Sequence, residues 1–118
     1  MGHDREETLK LRGKKVLVVG LARSGIAVSR FLISQGAAVT VADLLSNEQL
    51  GPEVNEALSM GVSLELGPHD VQTFLSQDLI VVSPGVPEGI APIEAARTAG
   101  VPVIGELELA VRFIEEPV

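Results

Sequence analysis

Gly20-Leu21-Ala22-Arg23-Ser24-Gly25 is the stretch of this sequence best suited to hold a ligand. An apolar run, Val16 to Val19, stops at a glycine, and five residues later a second glycine opens an amphipathic segment. That pattern predicts a buried parallel strand handing over to a helix through a tight turn. Gly20 can take backbone angles closed to other residues, and the missing side chain at Gly25 lets the helix sit close to the strand. The unpaired N–H groups of the new helix, and the positive end of its dipole, then face whatever lies above the sheet edge, and a phosphate suits them. The dinucleotide fingerprint has a glycine where Ala22 stands, so a methyl group there argues against the standard dinucleotide pose while leaving a shifted one open. A well-packed strand-to-helix turn without a ligand is the plain alternative.

Other candidates fall at comparable places. Asp43 ends a second apolar run roughly twenty residues beyond the glycine turn, where an acid accepts hydrogen bonds from ribose hydroxyls or, equally, from a base N–H. A solvated acid closing a loop is the alternative. An acid that only reads a ligand is expected to matter little to stability. Ser83-Pro84-Gly85 follows a third apolar run directly: the proline stiffens the loop, the glycine exposes backbone, and the serine hydroxyl can face a phosphate or simply end the strand. Arg23 can neutralise a phosphate, although its helical phase equally allows plain exposure to solvent. His69 has no second histidine or carboxylate at metal-ligand spacing, and Glu106 and Glu108 suit the positive end of a last helix. No nucleophile, general base and orienting group can be assembled, so no catalytic residue and no metal site is expected.

Positioning these residues requires a particular scaffold. Strands are expected at 15–19, 38–43, 62–66, 78–82 and 101–104. Helices are expected at 24–35, from the Ser46-Asn47-Glu48-Gln49 capping box through Pro52 to Leu58, after Asp70, at 92–99 and from Gly105-Glu106 onward. Strand and helix patterns alternate, with connections too long for hairpins. This predicts an α/β, Rossmann-like three-layer fold with a parallel five-stranded sheet and helices on both faces. Ligands of such sheets bind beyond the carboxyl ends of the strands, where all three candidate loops lie. Residues 1–13 read as a flexible polar segment ahead of one domain over 14–118, and the sequence stops where a further strand could begin.

Composition narrows the partners. With 118 residues, 46% hydrophobic and only 3% aromatic, the core must be built from Val, Leu, Ile and Ala. A net charge of -7 makes nucleic acid and anionic membrane surfaces poor partners. It leaves a phosphorylated small molecule open, since backbone N–H groups hold phosphate without a basic surface. Cysteine is absent, which fits a reducing compartment. No signal peptide or spanning segment is visible, so the sequence reads as cytoplasmic.

Four motifs in order, Gly20-Leu21-Ala22-Arg23-Ser24-Gly25, Asp43, Ser83-Pro84-Gly85-Val86-Pro87 and Val103-Ile104-Gly105-Glu106-Leu107-Glu108-Leu109, resemble the N-terminal domain of the Mur ligases, and most of all their D-glutamate-adding branch. The resemblance runs from Lys14 to Val118. It implies a domain that holds the UDP part of UDP-N-acetylmuramoyl-L-alanine. Gly20, Ala22, Arg23, Ser24 and Gly25 would then form the diphosphate turn, with Arg23 and Ser24 contacting the diphosphate through backbone N–H groups and the Ser24 hydroxyl. Asp43 and the Leu44 N–H would meet the uracil, and Ser83, Pro84 and Gly85 would line the nucleotide path. Leu44 and Leu45 depart from the polar residues expected after Asp43. The resemblance also implies an absent central domain carrying the ATP phosphate loop, an absent C-terminal domain taking the incoming amino acid, ATP and magnesium for the full-length enzyme, no cofactor in this fragment, and no activity without those domains. A NAD(P)-binding module of an oxidoreductase or a ligand sensor, and a pure interaction domain, are the competing readings.

Overall fold

The computed structural model describes residues 11–21, 23–87 and 89–114. Residues 1–10 of the expected polar segment at 1–13, Ala22, Glu88 and the residues after 114 lie outside the described residues, as do the side chains of Arg23, Asn47, Phe113 and Ile114. Five strands, β1 (Lys15–Val19), β2 (Ala38–Asp43), β3 (Ser63–Leu66), β4 (Leu79–Val82) and β5 (Val103–Gly105), alternate with helices. The helices are α1 (Arg23–Ser34), α2 (Asn47–Leu50), α3 (Pro52–Ser59), α4 (Val71–Leu75), α5 (Ala91–Thr98) and α6 (Glu106–Ile114).

The strands form one sheet in the order β3-β2-β1-β4-β5, every pairing parallel. This is the doubly wound order, in which the chain reverses direction across the sheet between β1 and β4. Val16 pairs with Val39 on one side and Leu79 on the other, which makes β1 the central strand. Side chains alternate through it. Val16 and Val18 pack with Ile26 and Leu32 of α1, Val54 and Ala57 of α3 and Leu109 of α6. Leu17 and Val19 pack with Phe74 of α4 and Ile93 and Ala96 of α5. A strand covered on both faces needs no polar alternation, which is why β1 and β4 read as unbroken apolar runs.

The helix expected after the second strand is two helices. Gly51 separates them with φ +80 and ψ -144, and Pro52 opens α3. Proline lacks an N–H and disfavours helical angles at the residue before it, so one helix cannot run through that pair. The Ser46 N–H donates to Gln49 Oε1 at 2.8 Å, as the expected capping box requires. Gly36, at φ +88, closes α1 in the left-handed region. Asp70 caps α4, its Oδ1 accepting the Gln72 N–H at 3.0 Å.

Candidate functional site

The site is assembled where β1, β2, β4 and β5 end. Gly20 follows β1 at φ +103, and its N–H donates to the Ala42 carbonyl at 2.8 Å, carrying the sheet one residue into the turn. A Cβ there would stand 3.0 to 3.1 Å from Ser83 and Val86 atoms. At Gly25 a Cβ would lie 2.1 Å from the Gly20 carbonyl oxygen, an impossible contact. Both expected glycines are therefore obligatory, Gly20 for its angle and Gly25 for the close seating of α1 on the turn. The first turn of α1, from Arg23 through the half-buried Ser24, presents its N–H groups at this edge.

Asp43 is tied into the same turn. Its Oδ2 accepts the Leu21 N–H at 2.8 Å and its Oδ1 accepts the Leu45 N–H at 2.9 Å. Each oxygen keeps lone-pair capacity for a further donor. The acid is thus a bracket between the end of β2 and the glycine turn, a role that spacing alone does not disclose. Beyond it Leu44 and Leu45 are 62% and 44% exposed, so the departure noted in the sequence presents apolar side chains at this end of the sheet.

Ser83 is buried at the end of β4, its N–H donating to the Val19 carbonyl at 3.0 Å and its carbonyl accepting the Val86 N–H at 3.1 Å. Its Oγ stands 2.6 Å from Glu106 Oε2 and 3.1 Å from the Gly20 carbonyl. A hydroxyl has one proton, and the carboxylate is the stronger acceptor. Ser83 therefore braces the turn against β5 and α6, while Pro84 and Gly85 are the exposed part of that loop. Glu106, expected only to complement a helix dipole, is a fourth member of the edge. Its signal in the sequence is its place directly after the last strand.

His69 joins the edge from β3, whose following residue Gly67 donates its N–H to the Asp43 carbonyl at 2.9 Å. The ring lies edge-on to Phe74 at 5.2 Å, and its Nδ1 is buried with no partner. Burial pushes the imidazole below its ordinary pKa, and the charges of Asp43 and Glu65 oppose that push. Among the described residues no group of three or more His, Asp or Glu side chains could hold a metal ion. A cleft of about 510 Å³ lies elsewhere, between α1 and α3, and is bordered by the Arg30–Glu56 ion pair at 2.6 Å. No helix among the described residues is long and apolar enough to cross a membrane.

Such an edge can hold an anion on backbone N–H groups and a neighbouring ring or hydroxyl on Asp43. Solved structures of the same fold span different chemistries. A pseudomurein peptide ligase type C from Methanothermus fervidus matches 89% of this chain and 21% of its own, at 24% identity and a TM-score of 0.69. The D-lactate dehydrogenase of Escherichia coli matches 86% of this chain and 33% of its own, at 23% identity and a TM-score of 0.59. Those likenesses show the fold alone.

Sequence relatives discriminate further. The UDP-N-acetylmuramoylalanine--D-glutamate ligase of Desulfatibacillum aliphaticivorans is 54% identical over 110 residues, which are 93% of this chain and 24% of the relative. The enzyme of the same name from Geotalea daltonii is 50% identical over 109 residues, 92% of this chain and 24% of the relative. The chain thus spans about a quarter of the length of these relatives. The family model described as Mur ligase MurD-like, N-terminal domain, matches residues 14–105, a span containing both glycines, Asp43 and Ser83. The chain belongs to the Mur ligase family, as a MurD-like N-terminal domain.

Proposed function

We propose that this domain holds the UDP part of UDP-N-acetylmuramoyl-L-alanine for an ATP-dependent ligase that adds D-glutamate during peptidoglycan precursor synthesis. The observation that carries this reading is the glycine turn clamped between the Asp43 carboxylate and the Ser83 brace, in a chain of the MurD-like family. Backbone N–H groups at Arg23 and Ser24, with the Ser24 hydroxyl, would take the diphosphate. The free lone pairs of Asp43 and the Leu44 N–H would take the uracil. Pro84 and Gly85 would line the path beside Ser83. We also assign the ligase to the cytoplasm, a reading supported by a sequence without cysteine.

ATP and magnesium, which the family implies, do not fit here. A phosphate loop for ATP places Lys and then Ser or Thr directly after its second glycine, whereas Gly25 is followed by Ile26 and Ala27. The contribution of this chain is to bind and orient. Anchoring a remote nucleotide positions the reacting end of the substrate for groups elsewhere in a longer protein. Central and C-terminal domains of the same protein would supply that chemistry. Amide-resolved NMR during a UDP titration tests the assignment: the N–H signals of Leu21, Arg23, Ser24 and Leu44 shift, whereas those of β3 and α5 stay still. Shifts confined to the α1–α3 cleft would overturn it.

A further inference from the structure

Helix α6 carries apolar side chains on two opposite sides. Leu109 is 4% exposed and joins the core beneath the sheet. At the helical angle of about 100° per residue, Leu107, Ala110 and Val111 fall together on the other side. All three are exposed, Leu107 by 78% and Val111 by 43%. The Glu108–Arg112 ion pair, 2.9 Å long, borders this sector on one flank, and Glu106, held on Ser83, borders the other. A surface helix normally turns polar residues outward, and a second apolar sector on the outer side suits a covering partner. An apolar centre within a charged rim is the layout of an interface.

The family comparison bears on its occupant. The match to the N-terminal domain model ends at Gly105, and α6 begins at Glu106. The Desulfatibacillum relative matches 93% of this chain, yet about three quarters of its own length lies outside the match. In proteins of that length, α6 stands between an N-terminal domain and everything that follows. A surface beside such a tether meets the next folded unit at a high effective concentration, so modest apolar area suffices to hold it. A second copy of this chain is a poor occupant, because two bodies of net charge -7 repel one another.

We propose that Leu107, Ala110 and Val111 form the seat on which the following domain of a full-length ligase packs with an apolar surface of its own. This rests on family membership and on the helix, and is independent of which nucleotide the sheet edge holds. Hydroxyl-radical footprinting, read by mass spectrometry, measures the exposure of each side chain without any substitution. It is applied to this 118-residue chain and to a full-length ligase carrying it as its N-terminal domain, with buried Leu109 and exposed Leu58 of α3 as internal standards. The expected result is that Leu107 oxidises readily in the short chain and falls to the level of Leu109 in the long one, while Leu58 stays reactive in both. Equal oxidation of Leu107 in the two proteins would overturn the proposal. So would protection that is already present in the short chain and disappears on dilution, which would assign the face to a second copy.

Discussion

The Asp43 carboxylate accepts the backbone N–H of Leu21 at 2.8 Å, so the acid at the end of β2 holds the first residues of the glycine turn at the end of β1. Its second oxygen does the same for Leu45 at 2.9 Å. Hydrogen bonds to a charged group contribute about 1.5–3 kcal/mol when buried, and this acid is only half-buried. Asp43→Ala is therefore expected to cost roughly 1–2 kcal/mol in chemical denaturation as well as weakening UDP binding. The sequence suggests an acid that stability hardly notices, whereas these two hydrogen bonds predict a contribution to stability as well. An unchanged denaturation midpoint would show that water replaces both bonds without loss.

Gly25 is the least replaceable residue of the turn. An added Cβ meets a backbone carbonyl at 2.1 Å, and no rotamer can relieve that contact. Gly25→Ala is expected to cost about 3 kcal/mol or more, seen as a large fall in thermal midpoint or as loss of cooperative unfolding. Gly85→Ala makes the control, because nothing lies within 4 Å of a Cβ there, and it should fold like the parent.

Ser83 and Glu106 act as one unit across the ends of β4 and β5, with oxygens 2.6 Å apart. Truncating Ser83 takes the donor from Glu106, and without Glu106 the hydroxyl is left with the Gly20 carbonyl at 3.1 Å, so their substitutions should not add. A cycle of Ser83→Ala, Glu106→Ala and the double variant is expected to give a coupling of about 0.5–3 kcal/mol by urea unfolding. Strict additivity would remove Glu106 from the brace.

His69 gives the fold a pH dependence. Burial lowers its pKa, with Asp43 and Glu65 opposing, so the unfolded chain takes up a proton that the folded chain resists. Its stabilising contribution is therefore present above the unfolded imidazole pKa and is lost as pH falls through the lower folded value. Thermal midpoints measured between roughly pH 7 and 5 should fall toward acid, and His69→Gln should flatten that slope. A slope unchanged by the substitution would place the titrating group elsewhere.

What the sequence disclosed follows from which forces are local. The runs Val16 to Val19 and Leu79 to Val82 announce strands covered on both faces, because they are too short for a helix, rich in β-branched residues and bounded by turn signals. The two glycines announce the turn, since their backbone demands are local. The partnership of Asp43 with Leu21 and Leu45 was hidden, because its partners are backbone N–H groups that every residue carries. Glu106 was hidden for a related reason: its bond to Ser83 crosses 23 residues and depends on β4 and β5 being neighbours. The break at Gly51 lay in plain sight in the Gly-Pro pair, although the capping box before it suggested one continuous helix.

The central claim is that the sheet edge built on Gly20, Asp43 and Ser83 holds a UDP-linked muramoyl substrate and does not serve a nicotinamide. Calorimetric titration of the domain with UDP-N-acetylmuramoyl-L-alanine and, side by side, with NADH tests it most directly. The predicted result is saturable heat with the UDP compound, lost in Asp43→Ala, and none with NADH. Binding of NADH without binding of the UDP compound would contradict the account.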